Sequence, residues 1–183
     1  MDLYILTFLL LLLCLLGLSW FAGTDAPYVA THSEKIKKIL KEAGVRKGKI
    51  FYELGSGDGR VVMEAARMGA KSIGIEQSIL RVWYSQYKAR REGIKNSFFY
   101  HGNIFRLNYK DADIIFIFLL PQGIDKLEPK LKKELKKGTI IITQAFHFPN
   151  IKPIKKVDLS DKDSGFLSAD KSKKHGDFWI YRI

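Results

Sequence analysis

The sequence contains one cysteine, Cys14, among its 183 residues. A disulfide within the chain is therefore excluded, and so is a zinc or iron–sulfur site built from several thiolates. A single free thiol suits a reducing compartment. We expect no metal ion in the functional site.

Acidic residues are few compared with basic ones. The chain has 19 Asp and Glu against 31 Lys and Arg, which gives a net charge of +12. Such a surface favours anionic partners, namely phospholipid headgroups, nucleic acid or acidic proteins. It can equally be a solvated face that keeps the domain soluble.

Charged residues are missing altogether from 3–22. At 1.5 Å per residue, a helix of this length spans roughly 30 Å, the thickness of the hydrocarbon core of a bilayer. A secretory signal peptide has a positive leading segment and a shorter apolar core, whereas no Lys or Arg precedes this one. We therefore predict an uncleaved transmembrane anchor at 1–23, followed by one domain at 24–183.

The charges flanking the apolar stretch predict its orientation. Only Asp2 precedes it, while Lys35, Lys37, Lys38 and Lys41 follow it closely. Because positive flanking residues stay on the cytoplasmic side, we expect a single-pass membrane protein whose domain is cytoplasmic. In an organelle the same rule places the domain in the matrix.

Beyond the anchor, buried strands alternate with amphipathic helices. This alternation predicts an α/β domain, in which a parallel sheet carries helices on both faces. One helix is expected to begin near Pro129, since proline interrupts a helix interior. The polar stretch at 158–176 reads as a loop. The predicted strands are 49–54, 72–76, 98–101, 113–120, 139–144 and 178–183.

The most specific motif is the glycine-rich run at 53–60, ELGSGDGR, which lies between a predicted strand and a predicted helix. Gly55, Gly57 and Gly59 allow a tight turn and a close approach of a ligand to the backbone. The spacing is G-x-G-x-G and differs from the G-x-G-x-x-G of dinucleotide sites, which disfavours an NAD-dependent oxidoreductase. A P-loop is excluded because no Gly-Lys-Ser/Thr is present.

An acidic residue follows at the end of the next predicted strand. Glu76 lies 19 positions after Gly57, where a carboxylate can accept hydrogen bonds from both hydroxyls of a ribose. The alternative is a simple tight turn beside a surface glutamate. The motif and Glu76 together favour a nucleoside-containing ligand.

These residues resemble class I S-adenosylmethionine-dependent methyltransferases. The segments 27–31 (PYVAT), 82–93 (VWYSQYKARREG) and 120–122 (LPQ) narrow the resemblance to the membrane-anchored protein-lysine methyltransferases, whose animal members modify the ATP synthase c-subunit or the adenine nucleotide translocase. The resemblance implies a Rossmann-like, mostly parallel seven-stranded sheet preceded by one transmembrane helix. It also implies S-adenosyl-L-methionine as the cofactor and a membrane-associated protein as the substrate.

The resemblance further assigns roles to individual residues. Glu53, Gly55, Ser56, Gly57, Asp58 and Gly59 would line the methionine part of the cofactor, with the Glu53 carboxylate holding the ammonium group. Glu76 would take the ribose hydroxyls, with Gln77 beside it. Asn103 matches the position that reads the adenine amino edge, and Tyr28 and Thr31 would cover the cofactor.

The catalytic edge follows the fourth predicted strand. By resemblance, Leu120, Pro121 and Gln122 would face the transferred methyl group, and we predict Gln122, Pro121 and Tyr28 as catalytic residues. Phe146 and Phe148 are further candidates for an apolar slot around the substrate amine. His147 is a candidate proton acceptor, although an isolated histidine is more often structural.

Two other functions remain open from the sequence. The first is methylation of RNA or of a small molecule, but nucleic acid is the less expected partner because no RNA-binding aromatic pattern is present. The second is a membrane-tethered protein that binds the cofactor without catalysis. The expected partners are a membrane, contacted through the N-terminal helix and the basic surface, and a membrane protein that carries the target lysine.

Overall fold

The computed structural model describes residues 3–21, 32–159 and 176–183 and consists of five helices and seven strands within those ranges. Helices and strands alternate from α2 to β3, as the sequence predicts, and α5 lies between β4 and β5. In chain order they are α1 (Leu3–Phe21), α2 (Ser33–Glu42), β1 (Ile50–Leu54), α3 (Arg60–Arg67), β2 (Lys71–Glu76), α4 (Ile79–Arg91), β3 (Ser97–His101), β4 (Ile114–Ile117), α5 (Pro121–Glu134), β5 (Ile140–Gln144), β6 (Lys155–Asp158) and β7 (Asp177–Arg182).

The strands form one sheet in the order β3-β2-β1-β4-β5-β7-β6. β3, β2, β1, β4 and β5 are all parallel to their neighbours, while β7 is antiparallel to both β5 and β6. The predicted mostly parallel, seven-stranded sheet is therefore confirmed. The strand order reverses between β1 and β4, and ligands bind outside the carboxyl ends of the strands at such a point.

Alternate residues of the central strands face two separate cores. In β4, Ile114 and Phe116 pack with apolar residues of α2 and α3, whereas Ile115 and Ile117 pack with α5. All four are buried, as expected for a strand covered on both faces. The prediction of helices on both faces is confirmed.

The predicted start of one helix is wrong. α5 begins at Pro121 and carries Pro129 in its interior. Proline at the first helical position costs little, because that N–H has no partner within the helix. Pro129 removes one internal hydrogen bond, and the buried face formed by Ile124, Leu127 and Leu131 holds the helix together across it.

Two strand predictions also need correction. The fourth strand ends at Ile117, so the last three residues of the predicted strand 113–120 leave the sheet and lead into α5. β6, with the sequence KKVD, lies in a stretch for which we predicted no strand. It is an edge strand with exposed lysines, and it therefore lacks the apolar pattern of the others.

α1 is a 19-residue helix without an acidic residue in its first turn or a basic one in its last. Its backbone comes within 8 Å of α4, measured between Cα atoms. Counting only the residues that the structure describes, no helix is both long enough and apolar enough to cross a membrane. The predicted anchor at 1–23 and the predicted domain at 24–183 stay predictions.

Candidate cofactor site

The glycine-rich run forms a tight turn at the carboxyl end of β1. Gly55, Gly57 and Gly59 have φ angles of 87°, 53° and 76°, in the left-handed region that favours glycine. The backbone N–H groups of Gly55 and Ser56 both donate to the carbonyl oxygen of Ile75 at 2.9 Å, which ties the turn to β2. The tight turn that the sequence predicts is therefore present.

Glu76 ends β2 and holds this turn directly. Its carboxylate accepts the backbone N–H of Gly57 and the backbone N–H of Ser78, each at 2.9 Å. Glu76 is only 5% exposed, and Nη1 of Arg81 lies 3.8 Å from one of its oxygens. Since each carboxylate oxygen has two lone pairs, both can still accept a hydroxyl donor from a ligand.

Glu53 places a second carboxyl group beneath the turn. It is buried, and its Oε2 accepts the backbone N–H of Val62 in α3 at 3.2 Å. Burial raises the pKa of this carboxyl well above 4.5, and the charge of Asp58 raises it further. A buried acid of this kind is well suited to face a cationic group of a ligand.

We expect Glu53→Gln to raise the melting temperature at neutral and alkaline pH. Because the folded-state pKa is raised, Glu53 contributes stability below about pH 4.5 that is lost as the pH rises through the folded-state pKa. Glutamine cannot ionise and can still accept the Val62 N–H. Thermal unfolding of both proteins between pH 5 and pH 9 tests this.

The gap between the two melting curves should widen as the pH rises. Glu34→Gln, at an exposed acid of α2, is the matched control and should leave the pH dependence unchanged. A Glu53→Gln protein that loses stability with pH in parallel with the parent chain would contradict this assignment.

Asp58 is engaged within the chain. Its carboxylate forms a bidentate salt bridge with Arg60, in which Nε donates to Oδ1 at 2.9 Å and Nη2 donates to Oδ2 at 2.8 Å. Nζ of Lys88 lies 3.9 Å from Oδ2. Although burial opposes ionisation, the hydrogen bond and charge of Arg60 hold the Asp58 pKa below 3.8. The side chain therefore anchors the turn to α3 and α4, and its contribution to a ligand site would come from the backbone.

The loop after β4 meets the glycine turn. A Cβ placed on Gly55 would lie 3.5 Å from Cδ2 of Leu119, so the two loops are in contact. Pro121 and Gln122 begin α5 just beyond and are exposed. The structure thus brings the predicted catalytic edge to the same end of the sheet as the turn and Glu76.

The other predicted site residues either lie at the carboxyl end of the parallel strands or fall outside the residues that the structure describes. Gln77 is exposed beside Glu76, and Oδ1 of Asn103 accepts the N–H of Phe105 at 2.8 Å, as a turn residue does. Tyr28 and Thr31 lie outside the described residues, so their predicted roles stay predictions.

The candidates for the substrate slot differ from one another. Phe148 is buried, its N–H donates to the hydroxyl of Tyr181 at 3.0 Å and its ring packs edge-on against that tyrosine, which is a structural role. His147 is exposed and lies against Trp179. Phe146 is half-buried and remains available to line a slot.

Sequence reasoning missed three residues that shape the site. Gly74 in β2 allows the glycine turn to pack closely against this strand, because a Cβ at Gly74 would lie 2.7 Å from Cβ of Ser56. The hydroxyl of Ser85 donates to the carbonyl oxygen of Gly57 at 3.3 Å, and Arg81 is buried beside Glu76. Their signals in the sequence were slight: a glycine inside a strand, and polar residues at the positions where α4 faces the sheet.

A family model described as the ANTKMT methyltransferase domain matches residues 53–155, from Glu53 in β1 to the start of β6. A lysine N-methyltransferase of the ATP synthase c-subunit, from Xenopus laevis, is 37% identical over 128 residues, which are 69% of this chain and 56% of that protein. The chain thus spans little more than half the length of this curated relative.

The match covers a larger share of two shorter proteins than of the Xenopus relative. A protein-lysine N-methyltransferase of Saccharolobus islandicus is 30% identical over 138 residues, 74% of this chain and 86% of that protein. A crystal structure of an RNA methyltransferase from Salinibacter ruber, in complex with S-adenosyl-L-homocysteine, superposes with a TM-score of 0.74 at 30% identity. It covers 85% of this chain and 94% of that one.

Proposed function

Because the chain belongs to the family of the ANTKMT methyltransferase domain, we propose that it transfers a methyl group from S-adenosylmethionine to a lysine of a membrane-associated protein. The observation that carries the proposal is the glycine turn at 55–59, which lies at the reversal point of the sheet and is held by the carboxylate of Glu76. The lysine specificity is supported by the names of the relatives in Xenopus and Saccharolobus.

The residues around the turn fit the cofactor in their chemistry. Glu76 offers two oxygens for ribose hydroxyls, and the buried Glu53 carboxyl can accept an ammonium group. The positive φ angles of Gly55, Gly57 and Gly59 produce the tight turn beside these two carboxyl groups. When bound, S-adenosylmethionine supplies an electrophilic methyl group on a sulfonium sulfur.

The remaining requirement is a neutral, oriented amine. At pH 7 only roughly one free lysine in a few thousand is neutral, given an ordinary pKa near 10.4. An apolar slot favours the neutral form by desolvation, and alignment of the amine lowers the barrier by several kcal/mol. Gln122, Pro121 and Phe146 are the described residues that we assign to this slot.

We expect Gln122→Ala to lower turnover about tenfold or more while leaving cofactor affinity nearly unchanged. The Gln122 amide sits on the first turn of α5 and would orient the incoming amine by one or two hydrogen bonds. Methylation rates and calorimetric affinity for S-adenosylhomocysteine measure the two effects separately.

A second substitution on α5 is the control. Asp125→Ala removes an exposed side chain one turn further along the same helix and should change neither quantity. A large loss of cofactor affinity in Gln122→Ala would instead assign Gln122 to the cofactor site.

We further propose that α1 anchors the chain in a membrane, with the domain on the cytoplasmic or matrix side. Its support is the uncharged 19-residue helix Leu3–Phe21, on which leucines such as Leu3, Leu11 and Leu13 are more than 60% exposed. A tethered domain meets substrates in the plane of the bilayer, which raises their effective concentration. A membrane protein with a lysine near the interface is then the expected substrate.

Tritiated-methyl labelling of membranes by the purified chain tests the function. The proposal expects a labelled protein band whose label is recovered as methyllysine after hydrolysis. Deletion of residues 1–22 should preserve cofactor binding and reduce this labelling, whereas equal labelling would contradict the anchor. Binding of S-adenosylmethionine without transfer to any substrate would favour a non-catalytic binding protein.

Methylation of RNA is a second candidate, supported by the name of the Salinibacter structure and by the basic surface. The same labelling reaction, supplied with total RNA from the source cells, distinguishes the two. Label that is released by ribonuclease rather than by protease would favour RNA.

A further inference from the structure

Exposed apolar side chains are concentrated on one part of the domain. Outside α1, nine large apolar side chains are exposed among the residues that the structure describes, and six of these lie between 79 and 100. Trp83 and Tyr87 are the most exposed, at 59% and 61%. Two exposed aromatic side chains close together on one helix are a candidate interaction site.

The two most exposed of these side chains lie on the outer face of α4. Trp83, Tyr87 and Arg90 follow at spacings of four and three, so they share one face. Next to them, β3 is the open edge of the sheet. A groove of about 530 Å³ runs between α4 and β3. We call this the α4–β3 surface and define it by Trp83, Tyr87, Arg90 and Lys95.

The charge of this region is strongly one-sided. Between 77 and 110 the sequence has seven Lys and Arg and a single acidic residue, Glu92, so that the segment holds +6 of the chain's net +12. Glu92 is itself paired with Arg67 of α3. Both Arg90 and Lys95 line the groove together with Phe98 and Tyr100.

We propose that the α4–β3 surface docks on the headgroup region of an anionic bilayer. Tryptophan and tyrosine favour the boundary between lipid and water, and lysine and arginine are attracted to anionic headgroups. α1 approaches α4 to within 8 Å, so the surface lies beside the helix that we assign as the anchor. This inference rests on the anchor part of the proposed function and is independent of methyl transfer.

Charge also argues against a second copy of the chain as the occupant. A symmetric dimer through this surface would bring Arg90 and Lys95 of two copies face to face, and like charges so placed repel. An anionic bilayer instead offers a flat, extended surface of opposite sign, which suits an exposed helix face. Docking would hold the domain in one orientation relative to the bilayer.

Spin-label accessibility in vesicles tests the docking on the full chain. In a Cys14→Ser background, a nitroxide is attached to Tyr87→Cys and, as the matched control, to Ile154→Cys at an exposed apolar position near β6. The proteins are reconstituted into vesicles of phosphatidylcholine with 30% phosphatidylglycerol, and into phosphatidylcholine alone. Collisions with oxygen report lipid, and collisions with a nickel chelate report water.

We expect the oxygen-to-nickel collision ratio at position 87 to be roughly fivefold above that at position 154 in anionic vesicles, because an interfacial side chain is shielded from water. The ratio should fall in phosphatidylcholine alone, and Arg90→Gln with Lys95→Gln should lower it in anionic vesicles. A label at position 87 that is as open to nickel as the one at position 154 would overturn the docking.

Other outcomes also overturn the proposal, in whole or in part. Shielding at position 87 from both reagents would mean that protein covers the surface, and equal shielding in both kinds of vesicle would remove the role of charge. A chain that does not float with the vesicles overturns the anchor and the docking together. A chain that floats with position 87 exposed overturns the docking alone and leaves methyl transfer to be judged by labelling.

Discussion

Glu76→Ala should weaken the binding of S-adenosylhomocysteine about 100-fold or more. The substitution removes the acceptor for the N–H groups of Gly57 and Ser78, so the glycine turn loses its hold on β2. It also removes the oxygens that we assign to the ribose. A hydrogen bond to a charged group contributes about 1.5–3 kcal/mol, so the loss of two or more accounts for this factor.

Calorimetric titration of the folded variant with S-adenosylhomocysteine measures this effect. Glu64→Ala is the matched control, since Glu64 of α3 pairs with the exposed Arg67 at the far end of that helix from the turn. Circular dichroism establishes that both variants are folded before titration. Unchanged affinity in folded Glu76→Ala would show that Glu76 does not bind the ligand. The proposed cofactor site would then lose its main support.

The second large effect is expected on stability. Gly59→Ala should lower the free energy of unfolding by about 3 kcal/mol or more, because strain and overpacking act together. Gly59 has a φ of 76°, and a Cβ there would lie 2.5 Å from the buried ring of Phe99 and 2.9 Å from Cβ of Ser85. The added methyl group has no free space to occupy.

Gly93→Ala separates the two causes. Gly93 also has a positive φ, of 67°, but a Cβ there would meet nothing within 4 Å. It should therefore cost only the strain of a left-handed alanine, about 1–2 kcal/mol. Urea unfolding of both variants gives the comparison, and equal losses would show that packing around Gly59 adjusts without cost.

The sequence predicted most of the sheet because its strands are buried on both faces. β1, β4 and β5 are largely apolar runs, which is why their order and approximate position were clear. β6 was missed because its exposed edge position puts lysines where a central strand would have isoleucines. The helix start at Pro129 was predicted wrongly because proline usually interrupts a helix. In α5 the buried apolar face stabilises the helix despite the hydrogen bond that Pro129 removes.

The candidate site was predictable in outline but not in its contacts. The spacing from Gly57 to Glu76 located the two features, yet it gave no sign that the carboxylate of Glu76 would bind the turn itself. Contacts such as the approach of Arg81 to Glu76, or of Leu119 to Gly55, join different elements. They depend on packing between a helix or loop and the sheet, which a pattern along one chain does not contain.

The buried acid under the glycine turn couples the site to the acidity of its surroundings. Burial raises the pKa of the Glu53 carboxyl above that of an ordinary glutamate, so this group stays protonated to a higher pH. A ligand ammonium placed beside it would stabilise the ionised form, so this carboxyl would release a proton when the ligand enters. Protons and ligand then compete for one group, and a more acidic compartment would leave a smaller fraction of the enzyme loaded at the same cofactor concentration.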